Sequence, residues 1–197
     1  MQIIGGTHKG RKLTTPKGLT TRPTSGRLRE TLFNICQGYI EGIRFLDLFA
    51  GSGAMGLEAI SRGARQAIFV DNHKESLNAI RHNTQLLHAE NQVQVVFGDV
   101  FQVLDRLAAK GESYDIIYAD PPYDTYIAAG EERVSFGNLI LKKIDESSLL
   151  VESGDLFIED ATEAKPPISG LTTLELISIR RNGKALLQQY RKKAAIK

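Results

Sequence analysis

The stretch FLDLFAGSGAMGLEAISR, from Phe45 to Arg62, constrains this chain more than any other. It opens on an apolar run, broken only by Asp47, that reads as a buried strand over Phe45–Phe49. It closes on a helix expected over Ala54–Arg62. Gly51 and Gly53 between them, with Gly56 in the first turn of that helix, stand in the pattern G-x-G-x-x-G. A strand that enters such a loop and leaves as a helix opens a β-α-β unit, whose crossover lays the helix on the face of a parallel sheet.

The rest of the chain keeps that rhythm. Further strands are expected over Ala67–Val70, Val93–Phe97, Asp115–Ala119, Asp155–Glu159, Leu174–Arg180 and Ala185–Tyr190. Helices are expected over Lys74–Ala89, Phe101–Ala109 and Phe136–Ile144. This alternation gives an α/β fold, a mostly parallel sheet covered by helices. The last two strands flank RNGK, and Asn182-Gly183 is a hairpin signal, so an antiparallel pair is expected at the sheet edge. Ahead of the alternation, MQIIGGTHKGRKLTTPKG has short apolar pieces broken by Gly and Pro, which reads as a hairpin-like arm. A helix follows, with Pro23 and Thr24 or Ser25 as its start and Leu28, Leu32, Phe33 and Ile35 on its period. The expected organisation is an arm over residues 1–21 and one domain over residues 22–197.

The chain has 197 residues, enough for one ordinary domain. Its only cysteine, Cys36, fits a reducing compartment. No apolar stretch is long enough to span a membrane, and the N-terminus lacks the pattern of a secretory signal, so a cytoplasmic protein is expected. Net charge is only +2, but it is unevenly placed. Residues 1–29 and 180–197 hold 14 of the 25 bases and no acid, while the middle carries 11 bases against all 23 acids. An acidic body between two basic ends points to a polyanionic partner, with nucleic acid the first candidate.

In open α/β sheets, ligands bind beyond the C-terminal ends of the strands. Gly51, Gly53 and Gly56, with Asp71 at the next strand end, match a dinucleotide fingerprint when taken alone. Asp47 argues against it, because a carboxylate just before the loop repels a pyrophosphate and attracts an ammonium. S-adenosylmethionine (SAM) carries an ammonium and a sulfonium and no phosphate. Asp99, at the third strand end, can accept a hydrogen bond from an exocyclic amine such as adenine N6. The bland alternatives are a tight strand-to-helix turn for the glycines and a helix N-cap for Asp99.

The fourth strand ends in Asp120-Pro121-Pro122-Tyr123. Two prolines fix φ twice and supply no N–H. They hold Asp120 and the Pro121 carbonyl as two acceptors for one planar amine, with the Tyr123 ring as a stacking face. Drawing electron density towards nitrogen makes a conjugated amine a better nucleophile, the pattern of exocyclic-amine methylation. In this architecture the fourth strand end is expected beside the first, facing the reactive carbon of the cofactor. Guanine suits Asp120, because its N1–H and N2–H are adjacent donors for two carboxylate oxygens.

Here the chain resembles a known family. DLFAGSGAMGLEAISRGA, DPPY and the leading KGRKL with RPT and LFNI are similar to the RsmD family, bacterial methyltransferases acting on a guanine N2 of 16S ribosomal RNA. The resemblance runs from about Ile3 to the C-terminal strands. It implies the class I SAM-dependent methyltransferase (Rossmann-like) fold, with a mostly parallel seven-stranded sheet and a reversed last strand. It implies Asp47 and the loop Ala50, Gly51, Ser52 and Gly53 at the methionine end of SAM, Asp71 at the ribose, Asp99 at the adenine, and Asp120, Pro121, Pro122 and Tyr123 at the target base. The implied partner is 16S rRNA in the small ribosomal subunit or its assembly intermediate. Gly26 departs from the family pattern, which commonly has an acid there.

From charge rather than family, Lys9, Arg11, Lys12 and Arg22 are expected to line the RNA path. No metal is expected, since His8, His73, His82 and His88 show no ligand spacing with Cys36 or each other. A monomer is expected. The competing readings are a nucleotide-dependent oxidoreductase, a non-catalytic RNA-binding module and, within the enzymes, a DNA adenine methyltransferase.

Overall fold

The computed structural model describes residues 1–16, 26–122, 126–129, 132–161 and 170–194. They fall into two units, Met1–Val103 and Leu104–Lys197. After the arm, the first unit carries α1 (Gly26–Cys36), β1 (Arg44–Leu48), α2 (Ala54–Ser61), β2 (Gln66–Asp71), α3 (Lys74–Leu86), a short 3-10 turn (Glu90–Gln92) and β3 (Val93–Phe97), and α4 (Val100–Ala109) begins in it. The second unit carries β4 (Tyr114–Ala119), β5 (Tyr126–Ala129), β6 (Glu132–Ser135), α5 (Phe136–Asp145), β7 (Leu150–Ala161), β8 (Leu174–Asn182) and β9 (Ala185–Lys192).

Seven strands make the sheet, in the order β3-β2-β1 in the first unit and β4-β7-β9-β8 in the second. β1, β2 and β3 are parallel, with Asp47 opposite Phe69 and Asp71 opposite Phe97. β4 and β7 are parallel, and β9 runs against both β7 and β8. The reversed last strand is therefore β9. It lies inside the sheet, so β8 alone forms that edge. Phe45, Leu46, Asp47 and Leu48 of β1 are all buried, which is why this segment reads as continuously apolar rather than alternating.

Two elements differ from expectation. β7 begins five residues before the expected start, because an irregular register between Tyr114 and Ile116 of β4 absorbs extra residues. The β5–β6 antiparallel hairpin is new. It follows the proline pair, in a stretch whose short runs carry no clear alternation. α1 is described from Gly26, with no acid in its first turn; the start expected at Pro23 and Thr24 or Ser25 lies outside the described residues.

Asp145 closes α5. Its carboxylate accepts the N–H groups of Thr172, Thr173 and Leu174 at 2.7–2.8 Å, fixing the chain as it enters β8. Burial works against the charge, but these N–H groups with the Thr172 hydroxyl outweigh it and hold the carboxyl below its usual range.

Candidate active site

Three strand ends in the first unit carry the acids singled out by sequence. β1 ends at Leu48, and Phe49 follows with φ 59°. A bulky L-residue in this left-handed region carries strain of order 1–3 kcal/mol, which in proteins concentrates at ligand loops. The loop then runs Ala50, Gly51, Ser52, Gly53 into α2. The Ala50 N–H donates to the Val70 carbonyl at 3.0 Å, and the Gly53 N–H donates to the Ala50 carbonyl at 2.7 Å. Gly53, at φ 77°, is the N-cap of α2 in the left-handed conformation. The three glycines serve different ends. A Cβ at Gly51 would meet nothing within 4 Å, so this side of the loop is open. A Cβ at Gly56 would stand 2.4 Å from the Phe69 ring, so Gly56 permits close approach of α2 to β2.

Asp47 is 1% exposed, and its Oδ2 accepts the Gly56 N–H at 2.9 Å in the first turn of α2. Burial pushes its carboxyl well above the usual carboxylate range; the Gly56 N–H pulls it back in part, and the charge of Asp71 adds to the rise. Among the described residues Asp47 has no ion-pair partner. Asp71, at the end of β2, clamps two turns: Oδ2 accepts the Gly51 N–H and Oδ1 the His73 N–H, each at 2.8 Å. Asp99 is exposed and accepts the Gln102 N–H at 3.1 Å, so it does cap α4. Its second oxygen has no partner among the described residues.

The remaining candidates lie in the second unit. Asp120 directly follows β4 and is half-buried, Pro121 is buried and Pro122 exposed. Tyr123 lies outside the described residues.

The arm is a hairpin, closed by an antiparallel bridge between Gln2 and Lys12 and by the Ile3 N–H donating to the Arg11 carbonyl at 2.9 Å. Lys9, Arg11 and Lys12 are exposed on it, and Arg22 lies outside the described residues. The arm is not a loose tail. Glu58 of α2, fully buried, accepts the Ile4 N–H at 2.8 Å and the Gly5 N–H at 2.7 Å, and also the Arg62 Nε–H at 2.8 Å. Ser61 accepts the His8 N–H through Oγ and donates that hydroxyl to the Gly5 carbonyl. Arg29, one of the bases in the acid-free stretch 1–29, is 2% exposed; its Nη2 donates to the Gln2 carbonyl and its Nε lies 3.6 Å from Glu58. At the other end of the chain Arg191 pairs with the buried Asp155 at 2.8 Å. Part of each basic run is thus committed to pairs within the fold, Arg29 enclosed and Arg191 part-exposed.

Sequence reasoning passed over Phe49, Glu58 and Asn83. Asn83 is fully buried on α3 and bonds both the arm and the glycine loop. Its signal was available, because it falls on the apolar stripe with Ile80 and Leu87. Among the described residues no group of three or more His, Cys, Asp or Glu is placed to hold a metal ion, and no described helix is long and apolar enough to cross a membrane.

The chain is similar to ribosomal RNA small subunit methyltransferase D of Escherichia coli (strain K12), at 34% identity over 83% of this chain and 76% of that protein. It is similar to YlbH of Bacillus subtilis (strain 168), at 35% identity over 85% of this chain and 86% of that one. The solved structure of the Escherichia coli protein yhhF superposes with a TM-score of 0.79 at 31% identity, covering 98% of both chains. A family model described as conserved hypothetical protein 95 matches residues 1–191. With that match spanning nearly the whole chain, the protein belongs to the conserved hypothetical protein 95 family, the RsmD family of methyltransferases.

Proposed function

We propose that the protein transfers a methyl group from SAM to the exocyclic N2 of a guanine in 16S rRNA, of the guanine(966) type, on the small ribosomal subunit or its assembly intermediate. It does so in the cytoplasm, as a monomer and without a metal. The observation that carries this reading is Asp47, a buried carboxylate raised by burial and by Asp71, with no ion-pair partner among the described residues, beneath a loop whose Gly51 side is open. Such a site calls for a cation and disfavours a pyrophosphate, since like charges at short range in a low-dielectric setting repel strongly. The amino-acid end of SAM meets that demand. The named activity of the Escherichia coli relative supports ribosomal RNA as the substrate.

SAM supplies a methyl group already activated on a sulfonium. The chain supplies binding and orientation. Asp47 and the Ala50, Gly51, Ser52 and Gly53 loop take the methionine end, Asp71 the ribose and Asp99 the adenine. Asp71 is well suited to keep the loop and the ribose in one relation, because its carboxylate already fixes the Gly51 N–H. On the substrate side, Asp120 and the Pro121 carbonyl accept the two hydrogens of the target amine, which turns its lone pair to one face. Tyr123 stacks on the base, which must leave its own stack to enter. Positioning of this kind supplies roughly 7–11 kcal/mol of barrier reduction when alignment is good. Lys9, Arg11, Lys12 and Arg22 hold phosphates.

The test separates binding from chemistry. Asp120→Ala should bind SAM as the wild type does in calorimetry and lose on the order of 10²–10³ in methyl transfer. Tyr123→Ala should lose activity and Tyr123→Phe keep most of it. An Asp120→Ala protein with wild-type transfer would overturn the assignment.

A further inference from the structure

Asn83 has no part in the reading above, yet its placement is unusual. It is a fully buried amide on α3, and nearly all of its hydrogen-bonding capacity is committed to two segments distant in sequence. Its Nδ2 donates to the Thr14 carbonyl at 2.9 Å and to the Ser52 carbonyl at 3.0 Å, and its Oδ1 accepts the Thr14 N–H at 2.8 Å. Thr14 lies in the return strand of the arm, two residues after Lys12. Ser52 lies between Gly51 and Gly53. One rigid planar group therefore holds the basic arm and the glycine loop together. A second contact joins the same segments, the Ser52 hydroxyl to the Met1 sulfur at 3.7 Å. The Ser52 carbonyl belongs to the peptide whose N–H is that of Gly53, the N-cap of α2. Rotating that peptide would break the Asn83 bond and the Gly53-to-Ala50 bond together.

We propose that Asn83 is a positioning residue that couples the arm to the glycine loop, so that a ligand on the loop and RNA on the arm each strengthen the binding of the other. This rests on the reading that the loop holds the cofactor and the arm the RNA. The physical basis is shared hydrogen bonding. Ordering Ser52 around a ligand orders the Asn83 amide, and the amide in turn fixes both backbone groups of Thr14. The coupling is reciprocal by thermodynamic necessity.

The experiment measures RNA affinity with and without S-adenosylhomocysteine, the demethylated product, and S-adenosylhomocysteine affinity with and without 16S rRNA. In the wild type each ligand should tighten the other by the same factor, about fivefold or more. Asn83→Asp keeps size and the acceptor for the Thr14 N–H, but sets a carboxylate against the Thr14 and Ser52 carbonyls. The arm stays attached through Glu58 and Ser61, so the variant should bind each ligand alone and show a coupling factor near one. Hydrogen exchange on the wild type needs no variant: S-adenosylhomocysteine should slow exchange at the Thr14 amide. Wild-type binding of both ligands with a factor of one, unchanged exchange at Thr14, or full coupling in Asn83→Asp would each overturn this inference and leave the functional reading standing. Failure of S-adenosylhomocysteine to bind at all would overturn both.

Discussion

Removing the Glu58 carboxylate should destabilise the protein severely, although the residue lies in no candidate catalytic set. Glu58 is 0% exposed and is met by the N–H groups of Ile4 and Gly5, by the Arg62 Nε–H, and by Arg29 at 3.6 Å. Glu58→Ala leaves two backbone donors without their acceptor and removes the anion facing a guanidinium that is itself buried. Hydrogen bonds to a charged group contribute roughly 1.5–3 kcal/mol each. Breaking a buried ion pair from one side costs about 3–5 kcal/mol. These terms overlap, because the same donors serve both, so the expected loss is about 3–5 kcal/mol rather than their sum. Against a total stability of roughly 5–15 kcal/mol the variant should still fold, with Tm lower by roughly 6–20 °C. Glu58→Gln keeps one acceptor oxygen but turns an amide NH₂ towards a backbone N–H, and should lose somewhat less. Urea melts read the change as a fall in midpoint at constant slope. A loss below about 1 kcal/mol for Glu58→Ala would refute the claim that the arm is held through this carboxylate. The same geometry makes truncation of the arm a poor test of RNA binding, since it would strip Glu58 of its partners.

Other perturbations have equally definite outcomes. Substituting Lys9, Arg11 and Lys12 together by Ala touches only exposed side chains, so it should leave SAM affinity unchanged, weaken RNA binding, and reduce the salt slope by about 2 to 3, measured by RNA titration across a salt series. Asp47→Asn should weaken SAM binding in calorimetry. The folded-state value of Asp47 is raised, so its ionisation costs stability, and that cost appears as pH rises from the unfolded carboxylate range through the raised value. Urea melts should therefore show the Asn variant gaining on the wild type as pH increases through that window. Asp145 has the opposite sign. Its folded value is lowered, so its contribution is present above about pH 4 and is lost as pH falls through the folded value; Asp145→Asn should destabilise at pH 7 and lose its penalty in strong acid.

Much of the fold could be read from periodicity because β1, β2 and β4 are short, mostly buried and separated by helices of ordinary length. The strand-loop-helix at Phe45 to Ser61 is the clearest case, where the glycine pattern and the apolar run agree. The β5–β6 hairpin escaped because Tyr126–Ala129 and Glu132–Ser135 offer only four residues each, too few for an alternating pattern to stand out in the sequence. Acids at strand ends were legible because strand ends are where an α/β sheet presents chemistry. Their partners were not. Asp47 and Asp71 bond backbone N–H groups 9 and 20 residues away, and sequence shows neither the geometry nor the burial that raises Asp47. Glu58 and Ser61 lie on a helix all of whose residues are buried, and polar groups there require partners that lie more than 50 residues off in the arm. Basic runs were visible as composition, but their division between surface and interior was not. Arg29 reads like Arg11 in sequence, and only the first is enclosed.

The most direct test is transfer of a labelled methyl group. Purified protein and labelled SAM, given small-subunit particles from a strain lacking the enzyme, should label a single guanine of 16S rRNA at N2. The label should be absent with Asp120→Ala, which retains SAM binding. Label on an adenine N6, label on DNA in preference to RNA, or no label despite measurable SAM binding would contradict guanine-N2 methylation by this site.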